Sequence, residues 1–180
     1  RPEVAADLKR LLTAADLVPE VKGRIRAVSC YRTVTHQRRV FCGKIGPGRA
    51  ARTPADRARF VGPPGYSEHA TGYAIDFATR PSPGCADVNA CFARTAAGRW
   101  LIQHAGEFGF ELSFPAGNGQ GVSYEPWHWR WVGTSATAPG AAAARAIFAR
   151  ARASYPAQPM VIDNPARMLM PTPGFQTLPR

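Results

Sequence analysis

Two short segments of the sequence concentrate residue types that bind metals and move protons. Residues 67–76 read Ser-Glu-His-Ala-Thr-Gly-Tyr-Ala-Ile-Asp, and residues 125–128 read Glu-Pro-Trp-His. A catalytic zinc ion takes three protein ligands from histidine, carboxylate or cysteine side chains and keeps a fourth position open. His69, Asp76 and His128 supply such a set if the strand that contains Asp76 lies beside the strand that begins near His128. The two segments therefore predict a zinc site with these three ligands.

Glu125 lies three residues before His128, with Pro126 between them. We expect the proline to bend the chain so that the carboxylate lies beside the metal rather than on it. A carboxylate in that place acts as a general base toward water and then passes the proton to a leaving amine. Each feature alone has an ordinary alternative, because single histidines are commonly packing or surface residues and Asp76 can cap a turn. The combined pattern favours a zinc hydrolase.

The elements that must position these residues are short. Hydrophobic spacing predicts four helices and four strands, the helices at 2–17, 33–41, 98–108 and 139–153 and the strands at 25–29, 72–78, 110–114 and 123–132. Between them, residues 43–65 are rich in glycine, proline and arginine, which predicts a long loop with a helical turn near 55–60. The order of elements predicts an α+β fold, a small and mostly antiparallel sheet with helices on one face.

The chain has 180 residues, of which 45% are hydrophobic, and this length suits one domain with an additional arm. We expect the domain to occupy residues 1–133. Residues 134–180 are expected to form a C-terminal extension, a helix followed by a Pro-rich tail that lacks periodicity. Its role is not readable from the sequence.

The formal net charge of +11 comes almost entirely from arginine. A basic surface favours anionic partners, and we expect an anionic wall polymer or membrane surface; an arginine-rich coding bias on a solvated face is the equally open alternative. Specific nucleic-acid binding is not expected, because no recognition helix, finger or aromatic RNA-binding signature accompanies the arginines. No apolar run is long enough to span a bilayer. The sequence opens without a signal peptide, which says little about location because a cleaved mature form and a trimmed chain look the same; we expect a signal peptide that has already been removed. We expect a monomer.

The four cysteines are Cys30, Cys42, Cys85 and Cys91, and none has the C-x-x-C spacing of a zinc knuckle. We expect two local disulfides, Cys30–Cys42 and Cys85–Cys91, although three pairings are formally possible and free thiols in a cytosolic protein are the alternative. Disulfides indicate an oxidising compartment, the periplasm or the cell exterior.

The pattern Ser-x-His-x-x-Gly-x-Ala-x-Asp followed by Glu-x-Trp-His resembles the zinc D-Ala-D-Ala carboxypeptidases of the VanY type, in the peptidase M15 group. That group shares its fold with D-Ala-D-Ala dipeptidases, some phage endolysins and the hedgehog signalling domain. The resemblance runs from about residue 29 to residue 133. Besides the two segments it includes Tyr31-Arg32-Thr33, Gln37, Trp100-Leu101 and Phe108-Gly109-Phe110.

The resemblance implies zinc (Zn2+) on His69, Asp76 and His128 and acid/base catalysis by Glu125. It also implies that the substrate is bound by four residues, Arg32, Ser67, Gln37 and Trp127. A D-Ala-D-Ala stem ends in a free carboxylate, and the planar fork of an arginine binds a carboxylate through two parallel hydrogen bonds.

The expected activity is therefore zinc-dependent hydrolysis of D-Ala-D-Ala type bonds in peptidoglycan stem peptides, outside the cytoplasm. A DD-endopeptidase or an L-Ala-D-Glu wall hydrolase is the alternative, because a crosslinked stem also presents a carboxylate next to the scissile bond. A non-catalytic, zinc-stabilised binding domain is a more remote alternative. An intact Glu125 and Arg32 argue against that domain, since pure binding requires neither.

Overall fold

The computed structural model describes residues 1–82 and 84–154, so the Pro-rich tail predicted at 155–180 lies outside the described residues. Five α-helices and four strands form in this part of the chain. In chain order they are α1 (Pro2–Ala15), β1 (Ile25–Ser29), α2 (Val34–Cys42), α3 (Pro54–Ala58), β2 (Ala74–Thr79), α4 (Ala96–His104), β3 (Phe110–Leu112), β4 (His128–Trp131) and α5 (Ala141–Ser154). Within the described ranges, no helix is both long and apolar enough to cross a bilayer.

The four strands form one sheet in the order β1-β2-β4-β3, and every neighbouring pair is antiparallel. This confirms the predicted α+β class. β2 and β4 lie side by side in the centre, and their register sets Asp76 directly opposite His128. Directly opposed residues point to the same face of a sheet. The adjacency on which the predicted metal site depends is therefore present.

The sheet separates an apolar face from a polar one, because successive side chains of a strand point to opposite sides. On the apolar face, Ile75 and Phe77 of β2 and Trp129 and Trp131 of β4 join the main hydrophobic core. Helices α1, α4 and α5 cover this core with the buried residues Val4, Leu11, Ala15, Ala97, Trp100, Leu101, Ala141, Ala144 and Phe148. The alternate positions of β2 and β4 carry the polar residues described below.

Two turns deliver the chain to the central strands. Gly72 has φ 76°, a left-handed conformation that glycine adopts without steric cost, and it ends a short 3-10 helix (Glu68–Thr71) just before β2. The strand predicted at 123–132 is shorter, because Pro126 has no N–H for a strand ladder. Before it, the backbone N–H of Ser123 donates to Arg59, outside the sheet. Only His128–Trp131 forms β4.

The loop at 43–65 is stabilised by a helix cap and by a small buried cluster of its own. The Thr53 hydroxyl and the Asp56 carboxylate cap the first turn of α3 reciprocally, which is a stabilising N-terminal arrangement. Phe41 of α2 and Ala58 of α3 form a second, small buried cluster with Ile45 and Val61 packed against it. The predicted helical turn is present at Pro54–Ala58, within two residues of its expected bounds.

The C-terminal helix α5 packs into the main core, in which Ala141, Ala144 and Phe148 are almost completely buried. Arg145 ties the helix to the chain after β4 through hydrogen bonds to the carbonyl groups of Val132 and Gly133. The domain boundary expected at residue 133 stays a prediction, yet a cut there would remove part of the core on which the sheet rests.

One of the two expected disulfides is present. Cys85 and Cys91 are bonded across a separation of six residues, with their Cα atoms 5.8 Å apart. Cys30 and Cys42 are free, so the expectation of a Cys30–Cys42 bridge was wrong. The physical reason is α2, whose nine residues extend about 13 Å along the helix axis and carry Cys42 away from the end of β1.

Candidate metal centre and active site

The three predicted zinc ligands meet on the polar face of the sheet. His69 projects from the 3-10 helix before β2, Asp76 lies in the middle of β2, and His128 is the first residue of β4. The Nε2 atom of His69 lies 3.1 Å from Oδ2 of Asp76, and the Nδ1 atom of His128 lies 2.9 Å from Oδ1. One ligand atom from each residue lies within 4.8 Å of the others, and all three residues are buried.

The outer hydrogen bonds of the two histidines determine which nitrogen each one offers. The Nδ1 atom of His69 donates to the backbone carbonyl of Cys30 at 2.6 Å, which leaves Nε2 facing Asp76. The Nε2 atom of His128 donates to Oε2 of Glu68 at 3.0 Å, which leaves Nδ1 facing the carboxylate of Asp76. In tetrahedral zinc sites with bonds of about 2.0–2.1 Å, ligand atoms lie about 3.3 Å apart. Two imidazole nitrogens and a carboxylate at this spacing fit zinc.

Charge and hydrogen bonding within the cluster shift the pKa values of its members. Burial alone raises the pKa of Asp76, but hydrogen bonds and charge from His128 and His69 lower it well below its usual range. Burial likewise lowers the pKa of His128, but Asp76 and Glu68 raise it to about 10. Zinc binds a deprotonated imidazole nitrogen, so zinc binding at Nδ1 of His128 would compete with a proton there.

Glu125 lies in the segment between β3 and β4, in the turn that precedes β4. Its backbone N–H donates to the carbonyl of Phe114, and its own carbonyl accepts from the N–H of His128 at 3.1 Å. Only 6% of the residue is exposed. Burial raises the pKa of Glu125 to about 7, the charge of His128 opposes this rise, and Asp76 and Glu68 add to it. A carboxyl group with a pKa near neutrality suits proton transfer in both directions.

Glu68 is the functional residue that sequence reasoning missed. It stands inside the recognised pattern, between Ser67 and His69, but received no role. Its carboxylate accepts hydrogen bonds from Ser113, His128 and Arg130, and the residue is 8% exposed. Burial alone raises the pKa of Glu68, but these partners lower it to about 2. An acid directly before a metal-binding histidine was the only signal in the sequence.

The predicted substrate-binding residues Arg32, Gln37 and Ser67 lie together beside the metal cluster. The guanidinium of Arg32 donates to Oε1 of Gln37 at 2.7 Å and to the hydroxyl of Ser29 at 2.8 Å. Its Nη2 atom lies 3.9 Å from Oδ2 of Asp76. The buried Gln37 amide in turn donates to the carbonyl of Gly62, whose Cα lies against the backbone of Ser67. Gln37 therefore holds Arg32 in place and connects it to the loop.

Trp127, also predicted to bind the substrate, contacts the main core of the protein. Its side chain is partly buried and packs against the main core, and its backbone carbonyl accepts a hydrogen bond from the N–H of Phe77. Contact between Trp127 and a substrate stays a prediction.

Comparison with known proteins agrees with this geometry. The family model of VanY, D-alanyl-D-alanine carboxypeptidase, matches residues 1–134. The bifunctional D-Ala-D-Ala dipeptidase and D-Ala-D-Ala carboxypeptidase VanXYC of Enterococcus gallinarum is 36% identical over 74% of this chain and 67% of its own length. The putative carboxypeptidase YodJ of Bacillus subtilis is 34% identical over 76% of this chain but only 47% of its own length.

Two solved structures resemble the fold. The LdcB LD-carboxypeptidase superposes with a TM-score of 0.63 at 32% identity, over 83% of this chain and 64% of that one. A VanY D,D-pentapeptidase mutant from a VanB-type resistance cassette, in complex with Zn(II), superposes with a TM-score of 0.59 at 26% identity, over 84% of this chain and 80% of that one.

Proposed function

The chain belongs to the VanY family of D-alanyl-D-alanine carboxypeptidases, and we propose that it removes the terminal D-alanine from peptidoglycan stem peptides in a zinc-dependent hydrolysis. The observation that carries this proposal is the buried cluster of His69, Asp76 and His128 with two distinct groups beside it. One is a carboxyl group of raised pKa, Glu125. The other is a fixed guanidinium, Arg32, at 3.9 Å from Asp76.

His69, Asp76 and His128 are the residues that would hold zinc. When bound, zinc would polarise the scissile carbonyl group and make a water molecule acidic enough to attack near neutral pH. Glu125 accepts the proton of the attacking water. It then delivers this proton to the nitrogen of the departing D-alanine, so that the leaving group departs as a neutral amine.

Arg32 determines which bond is presented to Glu125. Its guanidinium is held by Gln37 and Ser29 and is mostly buried, and a pre-oriented fork of this kind binds a terminal carboxylate with two hydrogen bonds. The hydroxyl of Ser67 caps no helix N–H and is available to donate to the same carboxylate. A chain-terminal residue bound there leaves its own peptide bond at the metal.

A second specificity is favoured by one comparison. The LdcB structure, at 32% identity, is that of an LD-carboxypeptidase, and an L,D bond at a stem terminus also ends in a D-residue with a free carboxylate. The same Arg32, Glu125 and metal ligands would serve that bond. The two activities differ in the residue that precedes the scissile bond, which has the D configuration in one and the L configuration in the other.

Digestion of purified muropeptides with mass analysis, with and without a metal chelator, tests the proposal. Loss of one D-alanine from pentapeptide stems is expected, and the chelator should abolish it. Shortening of tetrapeptide stems would instead assign LD-carboxypeptidase activity, and conversion of crosslinked dimers to monomers would assign endopeptidase activity. The absence of any chelator-sensitive product would contradict the peptidase proposal as a whole.

The substrate also supports a location and a surface partner. Stem peptides of the wall lie outside the cytoplasm, and the disulfide Cys85–Cys91 is of the kind that persists in oxidising compartments. The net charge of +11 supports attraction to anionic wall polymers, which would concentrate the protein near its substrate.

A further inference from the structure

Glu68 is a buried carboxylate for which the proposed reaction has no step. It begins the 3-10 helix that carries His69. Its carboxylate points to donors directly after β3 and in β4. Its Oε2 atom accepts from the hydroxyl of Ser113 at 2.6 Å and from Nε2 of His128 at 3.0 Å, and its Oε1 atom accepts from Nη1 of Arg130 at 3.0 Å. A buried carboxylate is costly unless such donors surround it.

The bond to His128 has a consequence for the metal site. Histidines that bind metals commonly donate their second N–H to a carboxylate, which fixes the tautomer and the orientation of the ring. We propose that Glu68 is a positioning residue for the metal centre: it retains the proton of His128 on Nε2 and so directs Nδ1 toward the zinc. This inference rests on the proposed zinc site and deepens it.

Arg130 fixes Glu68 from the opposite side. Its Nη1 atom donates to Glu68, and its Nε atom donates to Oε1 of Glu111 at 2.6 Å. The guanidinium also lies over the ring of Phe148 in α5, 5.0 Å from the ring centroid, a favourable cation–π geometry. The carboxylate that orients His128 is therefore anchored to the strand β4 and, through Arg130, to the C-terminal helix.

The substitution Glu68→Gln tests this arrangement with almost no change in volume. All three partners of Glu68 are donors in this geometry, and an amide has one acceptor oxygen and one donor group. Either orientation of the amide places an NH2 group against a donor, Arg130 in one case and His128 with Ser113 in the other. The support of His128 is lost or weakened in both.

The measurement is the zinc dissociation constant of the folded protein, obtained by competition with a chelator of known affinity. Glu68→Gln should weaken zinc binding about 10- to 100-fold, the range seen when partners of metal-binding histidines are removed. The matched control is Glu111→Gln. It removes the other carboxylate partner of the same Arg130, but its side chain is 44% exposed and has no contact with His128. Zinc affinity should change by less than about twofold in the control.

A spectroscopic readout separates positioning from general stability. Imidazole nitrogen NMR of the zinc-loaded wild-type protein should find His128 protonated on Nε2 and metal-bound through Nδ1. Zinc bound through Nε2 of His128 would overturn the inference, even if Glu68→Gln does not fold. Unchanged zinc affinity in a folded Glu68→Gln variant would overturn it too. If the wild-type protein itself does not bind zinc, the proposed metal site fails and this inference fails with it.

Discussion

Two turns of the molecule, one before β2 and one before β4, each place a buried glutamate near His128. The pKa values of the two glutamates are shifted in opposite directions. Glu68, in the first turn, is 8% exposed and its pKa is about 2. Glu125, in the second turn, is 6% exposed and its pKa is about 7. The residue type and the depth of burial are nearly the same, so neither explains the difference.

The difference lies in the groups that surround each carboxyl. Glu68 accepts hydrogen bonds from a hydroxyl, an imidazole and a guanidinium, and these partners outweigh the cost of burial. The pKa of Glu125 is raised first by burial and further by the negative charges of Asp76 and Glu68, with only the charge of His128 acting against them. One carboxylate is thus fixed as an anion that supports a metal ligand, whereas the other gains and loses a proton near neutral pH.

The largest effect expected from this comparison is on hydrolysis. Glu125→Gln should lower the rate about 100- to 10,000-fold, because the amide accepts no proton from water, while one zinc ion per chain remains bound. Turnover of a stem pentapeptide and metal analysis of the same sample test this. A variant that hydrolyses as fast as the parent would remove Glu125 from its assigned role, and Glu111→Gln serves as the control for a lost surface carboxylate.

The second effect is on the stability of the metal-free protein. Glu68→Gln should lower the free energy of unfolding by about 3 kcal/mol at neutral pH, because it breaks a buried, hydrogen-bonded ion pair with Arg130. The folded pKa lies below the ordinary value of 4.5, so this contribution is present above about pH 4.5 and is lost as the pH falls toward 2. Urea unfolding at pH 7 and at pH 3 measures it. An equal loss at both values would contradict the charge assigned to Glu68.

Glu125→Gln should shift stability in the opposite direction and by a smaller amount. The folded pKa of about 7 exceeds 4.5, so folding favours the protonated form and ionisation of Glu125 destabilises the folded state as the pH rises from 4.5 to 7. Replacing it with a neutral amide should stabilise the metal-free protein by about 2 kcal/mol at pH 8 and by little at pH 4. Thermal unfolding at the two pH values tests this, and a destabilised variant at pH 8 would show that Glu125 is already stabilised as an anion.

The smallest effect is expected at Ser113. Ser113→Ala removes one of the three donors to Glu68 and should cost about 1 kcal/mol of unfolding free energy, with zinc binding weakened less than in Glu68→Gln. The ratio of the two zinc dissociation constants measures how much of the support of His128 depends on this hydroxyl. A loss of zinc affinity equal to that of Glu68→Gln would show that Ser113, rather than Arg130, holds Glu68 in position beside His128.

The same contrast explains how much the sequence alone predicted. The spacing of Asp76 and the short motif around His128 place chemically distinctive residues on predicted neighbouring strands, so the clustering of these residues was predictable. β1 was predicted at the positions where it occurs. Glu68 was not readable because its partners Ser113 and Arg130 lie 45 and 62 residues away. Such long-range contacts have no local signature.

The C-terminal helix and one expected disulfide teach the same lesson. The sequence of α5 did not show how the helix contacts the domain, yet small residues such as Ala141 and Ala144 allow close packing and are completely buried. The Cys30–Cys42 bridge was inferred from proximity in sequence, although the helix between them separates the two thiols. Close spacing along the chain predicts contact only where no rigid element intervenes.

The central claim is that hydrolysis requires the metal which His69, Asp76 and His128 would hold. Release of D-alanine from a stem pentapeptide, followed while zinc is added stepwise to the metal-free protein, tests it most directly. We expect no release without zinc, a rise in proportion to added zinc and a plateau at one zinc ion per chain. Hydrolysis by the metal-free protein, or zinc bound at one ion per chain without any release, would contradict it.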